Sequence, residues 1–156
     1  MKRQIAKGLA MLMVTLALAG ASAAVANGQS NLALRVQVPF EFVVGEKSLR
    51  AGEYRVGAIN QSGDTIAISS AAGDNALRLT SPRERNDREK TAKLVFHSYG
   101  STYFLSQVWM AGEAVGRELP KCNQERAMER ELKKIAAYHG SRKPLYEVVE
   151  VIAMAR

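Results

Sequence analysis

The sequence predicts a mainly β domain of the β-rich α+β class, an antiparallel sandwich or small barrel of about seven to nine strands. One C-terminal amphipathic helix and a final strand complete the expected fold. Three observations predict it. Apolar and polar residues alternate over residues 32–44, as in half-buried strands. Turn residues recur at hairpin spacing, at 63–64 and 73–75. The period changes to that of a helix near residue 120.

The N-terminus has the organisation of a secretory signal. Basic residues in 1–7 precede an almost purely apolar run over 9–19, and small residues then allow cleavage after Ala26. The apolar run is about half of the ~20 residues that cross a bilayer, although an uncleaved anchor is the alternative. We therefore predict a signal peptide over 1–26 and one exported β-rich domain over 27–156, in the periplasm or outside the cell.

Charge and cysteine content restrict the partners. Three of the 22 basic residues and none of the 15 acidic ones lie in the signal, so cleavage lowers the net charge from +7 to +4. Such a charge permits contact with anionic lipid or acidic polysaccharide, and it also keeps proteins soluble. We expect no nucleic-acid partner and no transmembrane segment after cleavage. Cys122 is the only cysteine, which excludes an intramolecular disulfide.

The first strands follow from the alternation over residues 32–44. Pro39 cannot donate to a ladder, so it should divide the run into two strands that share one buried face. Turns are expected at 45–48 and 51–53, and a returning strand at 54–58. The side chains expected in the core are Phe40, Phe42, Tyr103 and Leu105.

Two short strands and a charged segment come next. The strands are expected at 65–69 and 76–80, and residues 81–90 contain seven charged side chains of mixed sign. A solvated loop explains that segment, and a flexible lid or docking loop is the alternative. The side chains predicted to face inward from the two strands are Ile66, Ile68, Leu77 and Leu79.

The C-terminal half is more apolar. Residues 93–99 and 102–111 form a predicted hairpin, and the second segment is apolar on both faces, which is typical of a central strand. Residues 120–138 form a predicted helix whose narrow stripe contains Met128, Leu132 and Ile135. This helix should pack on the domain, with a partner helix or a membrane surface as alternatives. Residues 145–154 are β-branched and predict a final strand.

Catalytic chemistry is sparse. His97 and His139 belong to no metal-binding spacing, and Asp64 and Asp74 follow turn glycines, where they bond local backbone. Cys122 could pair with either histidine in space, although a packed bystander thiol is the simpler interpretation. We predict no catalytic, cofactor-binding or metal-binding residues.

An aromatic and polar group of side chains is the remaining candidate site. Amphipathic rings of this kind line clefts for sugars or apolar molecules. The same rings would equally fill a sandwich core, and the sequence leaves both interpretations open. The weak candidate ligand-binding residues are His97, Tyr99, Tyr103 and Trp109.

Three ordered motifs, VPFEFVVGEKSLRAGEYRV, KLVFHSYGSTYFLSQVW and GRELPKCNQERAMERE, resemble a family of small exported bacterial proteins without an assigned activity. The resemblance covers most of the mature chain. It implies a signal peptide, a β-rich domain and a charged C-terminal helical segment. It carries over no catalytic residues, and members commonly have another polar residue where this chain has Cys122.

These observations predict an exported, non-enzymatic β-domain that acts as a binding or envelope-associated module. Its partner would be an envelope protein, a polysaccharide or an apolar ligand. One alternative is a small β-barrel that carries an apolar ligand, and an enzyme is ranked below it.

Overall fold

A computed structural model describes residues 33–60, 62–138 and 144–154. The predicted signal, residues 1–26, lies outside the described residues, as does His139. The elements of the described chain are β1 (Ala33–Val38), β2 (Phe42–Val44), β3 (Lys47–Leu49), β4 (Gly52–Ala58), β5 (Thr65–Ser70), β6 (Asn75–Leu79), β7 (Ser81–Glu84), β8 (Lys93–Tyr99), β9 (Thr102–Trp109), β10 (Val115–Glu118), α1 (Asn123–Tyr138) and β11 (Glu147–Ile152).

The strands form two sheets, which confirms the mainly β class. The first sheet has the order β1-β4-β5-β6, and the second has the order β11-β8-β9-β10-β7. The β2-β3 hairpin joins the second sheet through a parallel pairing of β2 with β9, whereas the other pairings are antiparallel. The fold is a sandwich and not a closed barrel. Its strands outnumber the expected seven to nine because β3 and β7 are short additional strands in segments predicted as a turn and a loop.

One apolar core lies between the sheets, and the alternating N-terminal segment contributes to both of its sides. Val36 and Val38 of β1 are fully buried, and the chain then leaves the first sheet at Pro39. Phe42 and Val44 of β2 enter the same core from the second sheet. The predicted division at Pro39 and the shared buried face are both confirmed.

The four side chains predicted for the core all belong to this cluster or pack against it, to different depths. Phe42 and Leu105 are buried, whereas Phe40 and Tyr103 are half-buried at the edge of the cluster. The rings of Phe40 and Tyr103 stack with centroids 4.0 Å apart. Phe42 contacts Tyr54 edge to face, with centroids 5.1 Å apart.

The β8-β9 hairpin is central, as predicted, and is covered on both faces. All seven residues of β8 are buried. Leu94 and Phe96 belong to the core between the sheets, whereas Tyr99 packs in a second cluster with residues of α1. This second cluster gives the hairpin a second buried face.

The prediction that Leu77 and Leu79 face inward is wrong. Both side chains are exposed, at 64% and 70%. The register pairs Ile68 with Ala76 and Ile66 with Arg78, and directly opposed residues lie on the same face of a sheet. The inward positions of β6 are therefore occupied by a small residue and by the stem of an arginine.

The prediction of a solvated loop over 81–90 is also wrong in part. Its first four residues form β7, which pairs with β10 although all four are exposed. The remainder covers the outer face of the second sheet. Arg85 Cζ lies 5.1 Å from the ring centroid of Trp109. Glu89 forms an ion pair with Lys93, with Oε2 and Nζ 3.1 Å apart.

Several boundaries differ from the prediction. The 45–48 turn is limited to Gly45 and Glu46, and β4 already begins at Gly52. The helix begins at Asn123, three residues after Pro120. The final strand returns to the second sheet as predicted, and it pairs with β8.

Candidate binding groove

The second cluster lies between α1 and the outer face of the second sheet. Met128 and Leu132 of the helix stripe pack against it, whereas Ile135 is 54% exposed and extends beyond the contact. This arrangement confirms that the helix covers one surface of the domain. The buried members of the cluster are Val43, Tyr99, Phe104 and Cys122, with Tyr146 packed beside them.

A buried carboxylate connects α1 to the sheet. Glu125 is only 3% exposed, and its Oε1 atom lies 2.8 Å from His97 Nδ1. The Tyr99 hydroxyl donates to the same oxygen at 3.3 Å. Since an unpaired buried carboxylate is strongly unfavourable, these two contacts fix the helix against β8.

The beginning of α1 is held by two further acceptors. The Glu125 backbone N–H donates to Cys122 Sγ at 3.4 Å, and the Asn123 backbone N–H donates to Glu46 Oε1 at 3.2 Å. A carboxylate at a helix N-terminus also interacts favourably with the helix dipole. Glu46, in the β2-β3 turn, therefore positions the helix that covers the second cluster.

Cys122 has a structural position. Its side chain is buried within the second cluster and accepts from the first turn of the helix. Within the described residues no hydrogen bond joins Cys122 to His97, whose Nδ1 atom is directed to Glu125. The thiol and base pair considered from the sequence is not formed in this part of the chain.

The next turn of the helix carries a network of ion pairs. Glu129 accepts from Lys121 and Lys133, each at 2.8 Å. The hydrogen bond from Lys121, followed by that from Lys133, lowers the pKa of Glu129 from 4.5 to about 2. The Lys121 ammonium also lies 5.2 Å from the ring centroid of Tyr146, within cation–π distance.

A groove of about 640 Å³ opens beside this cluster. Its walls are the β8-β9 turn, one face of α1 and the segment that leads into β11. Burial, followed by the negative charges of Glu125 and Glu129, raises the pKa of the Tyr99 hydroxyl well above its ordinary value, so that Tyr99 stays neutral. The lining residues are Ser98, Tyr99, Gly100, Ala127, Met128, Glu131, Leu132, Pro144, Leu145, Tyr146 and Glu147.

The structure separates the four candidate residues predicted from the sequence. His97 and Tyr99 both contact Glu125, and the His97 ring packs 4.1 Å from the Tyr146 ring. Only Tyr99 among the four lines the groove. Tyr103 belongs to the opposite side of the second sheet, where it packs against the core between the sheets.

Trp109 is a structural residue in the described fold. It is 2% exposed, and its Nε1–H donates to Gln107 Oε1 at 2.9 Å. The indole lies against Gly116, where an added Cβ would come within 2.6 Å of ring carbons. Arg85 of the charged segment also lies over the indole ring, so Trp109 contacts both β10 and the charged segment.

Two residues of the site were missed in the sequence analysis. Glu125 lies three and seven positions before Met128 and Leu132, so a carboxylate occupies the apolar stripe of the helix, and this position is a readable signal. Tyr146 was included in the final strand, but it precedes β11 and contacts His97. No sequence pattern indicates that contact, because it depends on the return of the chain to β8.

No group of three or more His, Cys, Asp or Glu side chains in the described ranges is arranged to hold a metal ion. Among the same residues, no helix has the length and apolarity needed to cross a membrane. Comparisons of the chain with protein-family models, curated proteins and solved structures find no match.

Proposed function

We propose that the protein is an exported, non-enzymatic binding module that acts in the periplasm or outside the cell. The groove between α1 and the β8-β9 turn is its binding site, and the ligand is a small molecule with an apolar body. The observation that carries this proposal is the lining of the groove, where Tyr99, Tyr146, Met128 and Leu132 provide aromatic and flexible apolar surface. A groove of about 640 Å³ is within the size range of small-molecule sites.

The scaffold around the groove supports this assignment. Tyr99 belongs to the central β8 strand, and the opposite wall belongs to a helix held by the His97 and Glu125 contact. Walls on regular elements preserve their geometry, which lowers the entropic cost of binding. Within the described residues, side chains fill the space between the two sheets, which leaves no room for the ligand of a barrel-type carrier. We therefore assign the apolar ligand to the surface groove.

The buried polar groups support a non-enzymatic function. His97 and Glu125 are directed to each other, and neither is among the residues that line the groove. Their contact supplies the attachment of α1 to the sheet. We therefore assign these titratable groups to stability, and binding to the groove walls.

Native mass spectrometry of protein purified from its own host tests this function. We expect a small molecule to remain bound to the wild-type chain. Ala127→Phe places a ring in the groove from an exposed position, so the bound mass should be lost while the melting temperature is kept. Ala137→Phe is the matched control, because Ala137 is an exposed residue of the same helix that does not line the groove.

Repeatedly empty wild-type protein would overturn the proposal, as would equal occupancy in the two phenylalanine variants. Export is tested on the same preparation. The intact mass should correspond to a chain that begins at Asn27, and a mature protein that retains residues 1–26 would contradict the signal assignment.

A further inference from the structure

We propose that the ligand of the groove carries a positive charge, and that the site takes small organic cations with an apolar body, such as alkylammonium compounds. This inference rests on the proposed function, since it specifies the ligand class of the same groove. The first observation is the charge of the lining. Among the described residues that line the groove, the two charged ones are both acidic, Glu131 and Glu147, in a chain with a net charge of +7.

The two carboxylates are not equivalent. Glu131 has a partner one helical turn away, Lys134, at 3.2 Å. Glu147 is the exposed first residue of β11, and within the described residues it forms no ion pair. Among the described residues, the charged groove side chain without an ion pair is therefore Glu147, which would attract a cation and repel an anion.

The aromatic walls favour the same ligand charge. Tyrosine rings attract cations through the negative potential of their faces. An example lies beside the groove, where the Lys121 ammonium, which does not belong to the lining, is 5.2 Å from the Tyr146 ring centroid. After burial, the negative charges of Glu125 and Glu129 raise the pKa of the Tyr99 hydroxyl. The same charges disfavour a bound anion next to Tyr99 and favour a cation.

Apolar surface accounts for the rest of the ligand. Met128, Leu132 and Leu145 provide flexible and branched side chains along the groove, next to the carboxylate of Glu147. An alkyl chain can bury methylene groups against these side chains at about 0.8 kcal/mol each, while its charged head stays near the carboxylate and the tyrosine rings. A ligand with both parts satisfies the whole lining.

Titration calorimetry with three probes of matched alkyl length tests the inference: hexyltrimethylammonium, 1-hexanol and hexanesulfonate. We expect the cation to bind about 5- to 30-fold more tightly than the alcohol, and the sulfonate to bind more weakly than both. Glu147→Gln should reduce the preference for the cation by about 2- to 5-fold. Glu113→Gln removes the same charge from an exposed turn outside the groove and should leave the preference unchanged.

The outcomes separate this inference from the proposed function. If 1-hexanol binds and Ala127→Phe blocks it, but the cation binds no more tightly, the ligand charge is wrong and the groove remains a binding site. If none of the three probes binds, this inference fails, and native mass spectrometry of the host-purified protein decides the proposed function. If the preference for the cation persists equally in Glu147→Gln, the carboxylate does not select the charge and the inference is overturned.

Discussion

The contact between His97 and Glu125 makes a prediction that can be developed from its geometry. In His97→Ala, the Glu125 carboxylate stays in a position that is 3% exposed, and among the described side chains it keeps only the Tyr99 hydroxyl, at 3.3 Å, as a donor. Removal of its closest partner leaves the buried carboxylate without compensation, which costs about 3–5 kcal/mol by the range for a broken buried pair. We expect this loss in the free energy of unfolding.

The reverse substitution should cost less. Glu125→Leu leaves an imidazole, which can be neutral, so only a hydrogen-bonding group loses its partner, at about 1–3 kcal/mol. The double variant His97→Leu with Glu125→Leu replaces both polar groups and should be more stable than His97→Ala. This order distinguishes a coupled buried pair from two independent contacts.

Urea denaturation followed by circular dichroism measures all three variants. With a slope of about 1–3 kcal/mol per M of urea, the expected loss for His97→Ala lowers the midpoint by at least about 1 M. A midpoint for His97→Ala equal to that of the wild type would refute the reasoning. A double variant less stable than either single variant would refute the pairing of the two side chains.

Three further predictions concern the fold and its pH dependence. Phe42→Ala should lower the free energy of unfolding by about 3–5 kcal/mol, because Phe42 is only 1% exposed. Leu77→Ala should change it by no more than about 0.5 kcal/mol. Equal urea midpoints for the two variants would show that one of the two faces is misassigned. Gly116→Ala should displace the indole of Trp109 and lower the free energy of unfolding by about 1–3 kcal/mol. Because Trp109 is the only tryptophan, its fluorescence emission should shift to the red. Unchanged emission would contradict the close approach of Gly116 to the indole. Since the pKa of Glu129 falls from 4.5 to about 2 on folding, its stabilising contribution is complete above about pH 4.5 and is lost as the pH falls toward 2. A Glu129→Gln variant should therefore show a flatter stability profile between these pH values, and an identical acid profile would contradict the ion pairs.

Much of the sheet could be predicted from the sequence because burial imposes a period of two. Val36 and Val38 report the buried face of β1, and the strands on both sides of the core follow the same rule. The rule failed at β6, where Leu77 is exposed and Arg78 occupies an inward position. The side chains of an edge strand such as β6 face inward or outward according to its register with β5. The sequence of β6 alone does not show which residues of β5 lie opposite it.

The charged segment shows a second limit of sequence analysis. Ser81–Glu84 pairs with β10 through its backbone, while all four side chains stay exposed, so no hydrophobic signal marks the strand. Arg85 and Glu89 then contact Trp109 and Lys93. A run of mixed charges therefore covers a buried ring, and this contact depends on tertiary packing.

The groove could be predicted only in part. Tyr99 was a candidate, and the stripe of Met128 and Leu132 indicated which helix face is buried. The contact between His97 and Glu125 joins residues that are 28 positions apart, and only the docking of α1 brings them together. Tyr103 and Trp109 were candidates because they are aromatic, but the pleat of β9 directs them to other surroundings.

Chemical-shift mapping of the isotopically labelled protein during titration with hexyltrimethylammonium is the most direct test of the groove as a binding site. Binding in the groove should concentrate the amide shifts in residues 98–100, 127–132 and 144–147, which surround it. They should disappear in Ala127→Phe and persist in Ala137→Phe. Shifts centred on the exposed face around Leu77, or no saturable shifts at all, would contradict it.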